Sequence, residues 1–196
     1  AGPEGAKTFA IGVRGLPPGF YLLGSGRPAQ TRMLILGTET AVTLKGDCAS
    51  FSQAKVLGSP INERFAQAER RSQALTQAFR RGLSRYQMAL REPAEAEAEL
   101  GRIDAERLAL LDSLQRNFPF LAKVFALETY LSYPNHGQDY GSEAEFFART
   151  YFARAELSDP AYQQVPKVPD ALQNYAAPLP RPVAGGMEEV GHDHVV

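Results

Sequence analysis

Gly58-Ser59-Pro60-Ile61-Asn62-Glu63-Arg64-Phe65 opens a run of helix-forming residues that reaches Tyr133, and the architecture follows from it. Ser59 reads as a helix N-cap, and Pro60 suits the first helical position, where no amide hydrogen is needed. From there Ile61, Phe65, Ala68, Leu75, Phe79, Tyr86 and Leu90 fall on one line in steps of three and four, with Ser72 and Gly82 in the gaps. That line is the apolar stripe of an amphipathic helix. Glu69, Arg70, Arg71, Gln77, Arg80 and Arg81 mostly face away from it. The spacing predicts a helix from Pro60 to about Arg91, ended by Glu92-Pro93 because a residue before proline is pushed out of the α region.

A second helix is predicted from Pro93 to Asn117, with Leu100, Ile103, Leu110, Leu111 and Leu114 as its apolar face. The connection is short, so the two helices form an antiparallel hairpin. Phe118-Pro119-Phe120 restarts the chain into a third helix, Leu121 to Tyr133, followed by a loop over Tyr133-Pro134-Asn135-His136-Gly137. Ser142-Glu143-Ala144-Glu145 has the spacing of a capping box and starts a fourth helix to about Leu157. Ser158-Asp159-Pro160 is a weaker start signal, and Asp170 to Tyr175 adds one turn.

Ahead of the helices the chain reads as β. Short strands are expected at Thr8–Val13, Phe20–Leu23, Arg32–Gly37, Thr40–Asp47 and Gln53–Gly58, joined by turns rich in Gly, Ser and Pro. Leu16-Pro17-Pro18-Gly19 is a turn in which Gly19 is expected to take positive φ. Such spacing implies an antiparallel sheet, sandwich-like or a partial barrel, too small to form a good core alone and therefore packed on the helices. The fold class is α+β: an antiparallel β domain over residues 1–58, a helical domain over 59–177, and a tail over 178–196 whose Pro- and Gly-rich sequence cannot build a core.

Across 196 residues the hydrophobic fraction of 44% and charged fraction of 22% are those of a globular protein. Lys+Arg 21 against Asp+Glu 22 gives a net charge of -1, which argues against nucleic acid as a principal partner. No stretch approaches the roughly 20 apolar residues of a membrane span. The chain starts at Ala1 and not Met, which reads as a processed or truncated product.

Candidate chemistry is sparse. Cys48 is the single cysteine, so an internal disulfide and a Cys-x-x-Cys pair are both excluded, and it reads as a small residue at a strand end. His192, Asp193 and His194, with Glu188 or Glu189 nearby, form the one cluster with metal-binding residue types, but a terminal tail offers no fixed geometry. His136 lies in a polar loop beside Asp139 and Tyr140 and reads as a solvated histidine. Glu95, Glu97, Glu99 and Asp104 read as a solvated helix face and not as a general acid/base pair. Phe146, Phe147, Tyr151 and Phe152 form an aromatic band on the fourth helix, read first as core and second as a partner-binding groove. No nucleophile elbow, P-loop or dinucleotide fingerprint is present. No catalytic residue and no cofactor are expected.

Three segments, in order, carry a resemblance. They are Gly19-Phe20-Tyr21-Leu22-Leu23 with Met33 to Leu36; Val56-Leu57-Gly58-Ser59-Pro60-Ile61-Asn62-Glu63-Arg64-Phe65; and Leu157-Ser158-Asp159-Pro160-Ala161-Tyr162 with Val165-Pro166 and Asn174-Tyr175. This order resembles the region ahead of the catalytic domain in Bacteroidota thiol–disulfide proteins of the TlpA/ResA-like thioredoxin group. The chain departs from that family in having fewer leading strands, and it lacks the thioredoxin fold with its Cys-x-x-Cys, so no redox role carries over to any residue. The resemblance implies export to the periplasm or outer membrane and an accessory, non-catalytic role with protein partners, in a membrane-associated assembly or a homo-oligomer. The alternative is a thiol–disulfide oxidoreductase whose active domain lies outside this chain. The interaction reading predicts an apolar patch, on the hairpin or the aromatic helix, that a partner covers.

Overall fold

The structure, a computed structural model, describes residues 15–24, 27–39, 41–47, 49–89 and 93–178. The predicted strand Thr8–Val13, Cys48, and the tail cluster His192, Asp193 and His194 lie outside the described residues.

The chain is α+β. Strands β1 (Gly19–Gly24) and β2 (Thr31–Leu36) pair antiparallel, with Phe20 opposite Ile35 and Leu22 opposite Met33. Strands β3 (Thr43–Lys45) and β4 (Lys55–Leu57) form a second antiparallel pair, with Leu44 opposite Val56. Among the described residues the strands thus make two separate two-stranded sheets and no closed barrel. The predicted fifth strand is shortened because Phe51–Gln53 forms a 3₁₀ turn first.

Helices α1 (Pro60–Met88) and α2 (Ala94–Asn117) are the predicted hairpin. The α1 stripe is buried as its period requires: Ile61, Ala68, Leu75, Phe79 and Gly82 all face inward. At Gly82 the two helices come close enough that an added Cβ would sit 3.1 Å from Leu100 Cδ2, which accounts for the glycine in the stripe. Helix α3 (Pro119–Ala126) stops about two turns before the predicted end. The Tyr133–Gly137 loop is instead a short helix, α4 (Tyr133–His136). Ser142 caps α5 (Glu143–Thr150) by accepting from the Glu145 amide, as its capping-box spacing predicts, but this helix too ends early. A 3₁₀ segment, Pro160–Gln164, and α6 (Val168–Ala176) complete the described chain. No helix among the described residues is long and apolar enough to cross a membrane.

Two apolar clusters result. The larger joins the sheet to the helices: Ile35 packs with Ile61, Leu114, Leu121, Phe125 and Leu127, and the half-buried Phe20 stacks edge-on against Phe65 at 5.4 Å. The smaller holds the hairpin together through Leu75, Phe79, Leu100 and Ile103. Gly19 does not take positive φ, which among the described residues occurs at Gly15 (72°), Gly24 (158°) and Gly58 (67°). Its requirement is proximity: an added Cβ would lie 2.9 Å from Gln164 Cβ, so β1 abuts the 3₁₀ segment.

Polar groups fix the sheet to the start of α1. Asn62 acts as a strand surrogate at the outer edge of β2, accepting from Ile35 N (2.9 Å) and donating to Ile35 O (2.6 Å). It also donates to Ser59 Oγ at 2.7 Å. Ser59, fully buried, donates in turn to Glu39 Oε1 at 2.8 Å. Glu39 further accepts from Ile61 N (3.3 Å) and Gly37 N (3.0 Å), a carboxylate set against the positive end of the helix dipole. Burial alone pushes the Glu39 carboxyl up; the hydrogen bonds from its own amide, Ser59, Ile61 and Gly37 outweigh it and hold the group below its usual range.

Candidate functional site

The polar centre of the molecule lies on α2, where Asp104 and Arg107 share the buried face with Leu100 and Ile103. Asp104 is 1% exposed and Arg107 4%. The expectation that Asp104 belongs to a solvated face is therefore corrected. Positions 100, 103, 104 and 107 follow the three–four spacing of one helix face, and that spacing is the signal its charge obscured.

Asp104 Oδ2 accepts from Ser132 N at 3.1 Å and Ser132 Oγ at 2.6 Å, and His136 Nε2 lies 3.4 Å away. Asn135 donates to Ser132 Oγ (3.0 Å) and to Glu97 O (3.0 Å). His136 is exposed, as expected, but it is the last residue of α4 beside a buried carboxylate and not a loop residue. The triad of residue types is not a nucleophilic triad. The Ser132 hydroxyl gives its proton to Asp104 and is 1% exposed, out of reach of a substrate and not directed at the imidazole. The arrangement instead ties α4 to the middle of α2.

Arg107 donates to Tyr130 O at 2.7 Å, and its guanidinium lies 4.1 Å over the Phe79 ring and 5.3 Å from that of Tyr130. Burial pulls its pKa down, while Tyr130 and Asp104 act in the opposite direction. Tyr130 begins a chain of rings, stacking on Tyr151 at 5.2 Å and meeting Phe147 at 6.2 Å. Phe147 stacks on Tyr175 of α6 at 5.9 Å, and Phe152 meets the same ring at 5.2 Å. On the other side of α5, Phe146 packs against Tyr133 and Tyr140. Of the four aromatic candidates, Phe146 and Tyr151 are buried and Phe147 and Phe152 are half-buried beneath Tyr175. Burial pushes the Tyr151 hydroxyl up to about 12, with Tyr130 and Glu128 adding to the shift.

Lys167 forms a second junction. Its ammonium donates to Glu69 Oε2 (2.8 Å), Glu69 Oε1 (3.1 Å) and Glu128 Oε1 (2.9 Å), above the Phe125 ring at 5.3 Å. Burial lowers its pKa, but the two carboxylates outweigh this and leave it raised.

Two of the open surfaces among the described residues bear on partners. On the inner face of the β1–β2 hairpin, Phe20 and Ile35 enter the core, while the next cross-strand pair on that face is uncovered: Leu22 is 73% exposed and Met33 45%. The second is a groove of about 410 Å³ along one seam of the α1–α2 hairpin, floored by Ala68, Ala109 and Leu110 and rimmed by Arg64 and Arg71. Arg64 donates to Ser113 Oγ at 2.7 Å, and Arg71 pairs with Glu106. Among the described residues no group of three or more His, Cys, Asp or Glu side chains is placed to hold a metal ion. Compared with protein-family models, with curated proteins and with solved structures, the chain matches none.

Proposed function

We propose that this chain is a non-catalytic interaction module that acts outside the cytoplasm, the accessory front region of a thioredoxin-like envelope protein or a subunit of an envelope assembly. The observation that carries the interaction reading is the Leu22–Met33 pair. An apolar face that begins in the core and continues into solvent has the composition of an interface centre. The edge strand supports the same reading, because β1 pairs only with β2 among the described residues and so presents backbone donors and acceptors on its far side. A partner segment that adds to this edge gains main-chain hydrogen bonds and covers Leu22 in one step.

The test places a photo-crosslinking side chain at Leu22, at Met33 and, as an exposed control, at Leu172, in the protein expressed in its native cell. Discrete crosslinked species at positions 22 and 33 but not 172, in the envelope fraction, are expected. Indistinguishable labelling at all three positions removes the interaction reading, and recovery in the cytosol removes the location.

A further inference from the structure

We infer that the open seam of the α1–α2 hairpin is a docking groove for an acidic amphipathic helix of a protein partner, anchored by Arg64 with Arg71 as a second contact. The groove's shape comes from residue size. Ala68 and Ala109 stop short between the longer side chains of Arg64, Gln67, Arg71 and Glu106, and this leaves a trough with an apolar floor. Its charge comes from Arg64 and Arg71 of α1, set against the single carboxylate of Glu106 on α2.

The two rim arginines differ in how they are satisfied. Arg71 is paired with Glu106, but both side chains are about half exposed, at 57% and 49%, so a competing carboxylate displaces that pair at little cost. Arg64 is the stronger anchor. It is half-buried, its hydrogen bonds go to the neutral Ser113 Oγ and Gln67 Oε1, and among the described residues no carboxylate lies within salt-bridge distance. A partly desolvated guanidinium held in place by neutral acceptors is preorganised for a carboxylate, which it engages with two parallel hydrogen bonds.

Arg64 and Arg71 are seven residues apart, two turns or about 10.5 Å along the axis. A helix laid along the seam presents carboxylates at i and i+7 with the same separation, and its small apolar residues between them meet the floor. The chain's net charge of -1 argues against a nucleic acid backbone as the occupant. This site is separate from the Leu22–Met33 face, so either proposal fails or stands without the other.

The probe is a fluorescein-labelled helical peptide with Glu at i and i+7 around an Ala/Leu stripe, titrated with the full chain and read by fluorescence anisotropy. An otherwise identical peptide with Lys at both positions is the control. Binding of the acidic probe, weakened roughly tenfold by R64E and by raising the salt from about 0.05 to 0.5 M, is expected. The R64E/R71E chain should prefer the Lys peptide. Should R64E not fold by circular dichroism, R64Q keeps a donor for Ser113 while removing the charge, and the same loss is expected. No binding of the acidic probe, equal binding of the two peptides, or an affinity unchanged in a folded Arg64 variant overturns the proposal.

Discussion

Replacing Asn62 with alanine tests whether the sheet is fixed to the helices by a side chain that imitates a strand. In the native protein Asn62 satisfies both the amide and the carbonyl of Ile35, a residue whose side chain is 1% exposed at the centre of the larger core cluster. A typical intramolecular hydrogen bond contributes about 1 kcal/mol net, so the two bonds set a lower figure of about 2 kcal/mol. If the backbone groups of Ile35 stay dry, each carries a desolvation penalty of about 1–3 kcal/mol. The bond from Asn62 to Ser59 Oγ is lost as well, although Ser59 keeps Glu39 as its acceptor. The expected cost is about 2–4 kcal/mol, a large fraction of the stability of an ordinary domain.

Equilibrium urea unfolding gives the magnitude, and hydrogen exchange at the Ile35 amide gives the location. Asn62→Asp keeps the acceptor for Ile35 N but, ionised, turns its second oxygen on Ile35 O and lies near the Glu39 carboxylate, so its cost should equal or exceed that of alanine. A loss below about 0.5 kcal/mol, the range of ordinary surface substitutions, would mean that Asn62 does not fix the sheet to the helices. So would unchanged protection of the Ile35 amide, because the sheet would then be held by its apolar contacts alone.

Other perturbations follow from the same junctions. Lys167→Met leaves Glu69 and Glu128 facing each other without their shared cation and should cost about 1–3 kcal/mol in urea unfolding. Because the Lys167 pKa is raised above its usual 10.5, its contribution is complete below that value and lost as pH climbs through the folded-state pKa; the wild-type alkaline loss should shrink in the methionine variant. Glu39→Gln acts at the opposite end. The folded-state carboxyl lies below its usual 4.5, so its stabilisation is complete above that value and lost as pH falls through the lower folded value. The variant should lose about 1 kcal/mol at pH 7 and show a flatter acid limb in a stability–pH profile. Asp104→Ala strands the buried Ser132 amide and removes the negative charge that favours the buried Arg107 cation, and a loss of about 1–3 kcal/mol in thermal or urea unfolding is expected.

The legible part of this fold is the part written in periodicity. The stripe from Ile61 to Tyr86, the Ser59 cap, the capping box at Ser142 and the strands that become β1 and β2 are local signals, and local physics decides them. The third and fourth helices end sooner than their composition implies because tertiary contacts override propensity. After Ala126 the chain turns so that Tyr130 reaches Arg107 and Ser132 reaches Asp104. After Thr150 it bends so that Tyr151 and Phe152 meet Tyr175. No window of sequence contains both members of these pairs. The Asp104–Arg107 centre escaped for a related reason: charged residues on a helix are usually solvated, and only the partners supplied by α4 and the 130s segment make their burial tolerable.

The position of those partners also bears on where the molecule is available to others. One seam of the α1–α2 hairpin is closed: Phe65, Glu69 and Ser72 face α3, the Lys167 junction and the segment that carries Glu128. The opposite seam receives no such element among the described residues, and its small residues and arginines line a trough instead of a core. A hairpin closed on both seams would have continued the apolar stripe of α1 where Arg64, Gln67 and Arg71 stand. Their presence means that the chain's own packing did not require that seam to be apolar. The net cationic balance of α1 has no compensating acid there except Glu106. The asymmetry between the two seams therefore lies in sequence as well as in shape, and it gives the docking groove a physical origin separate from the exposed pair at Leu22 and Met33.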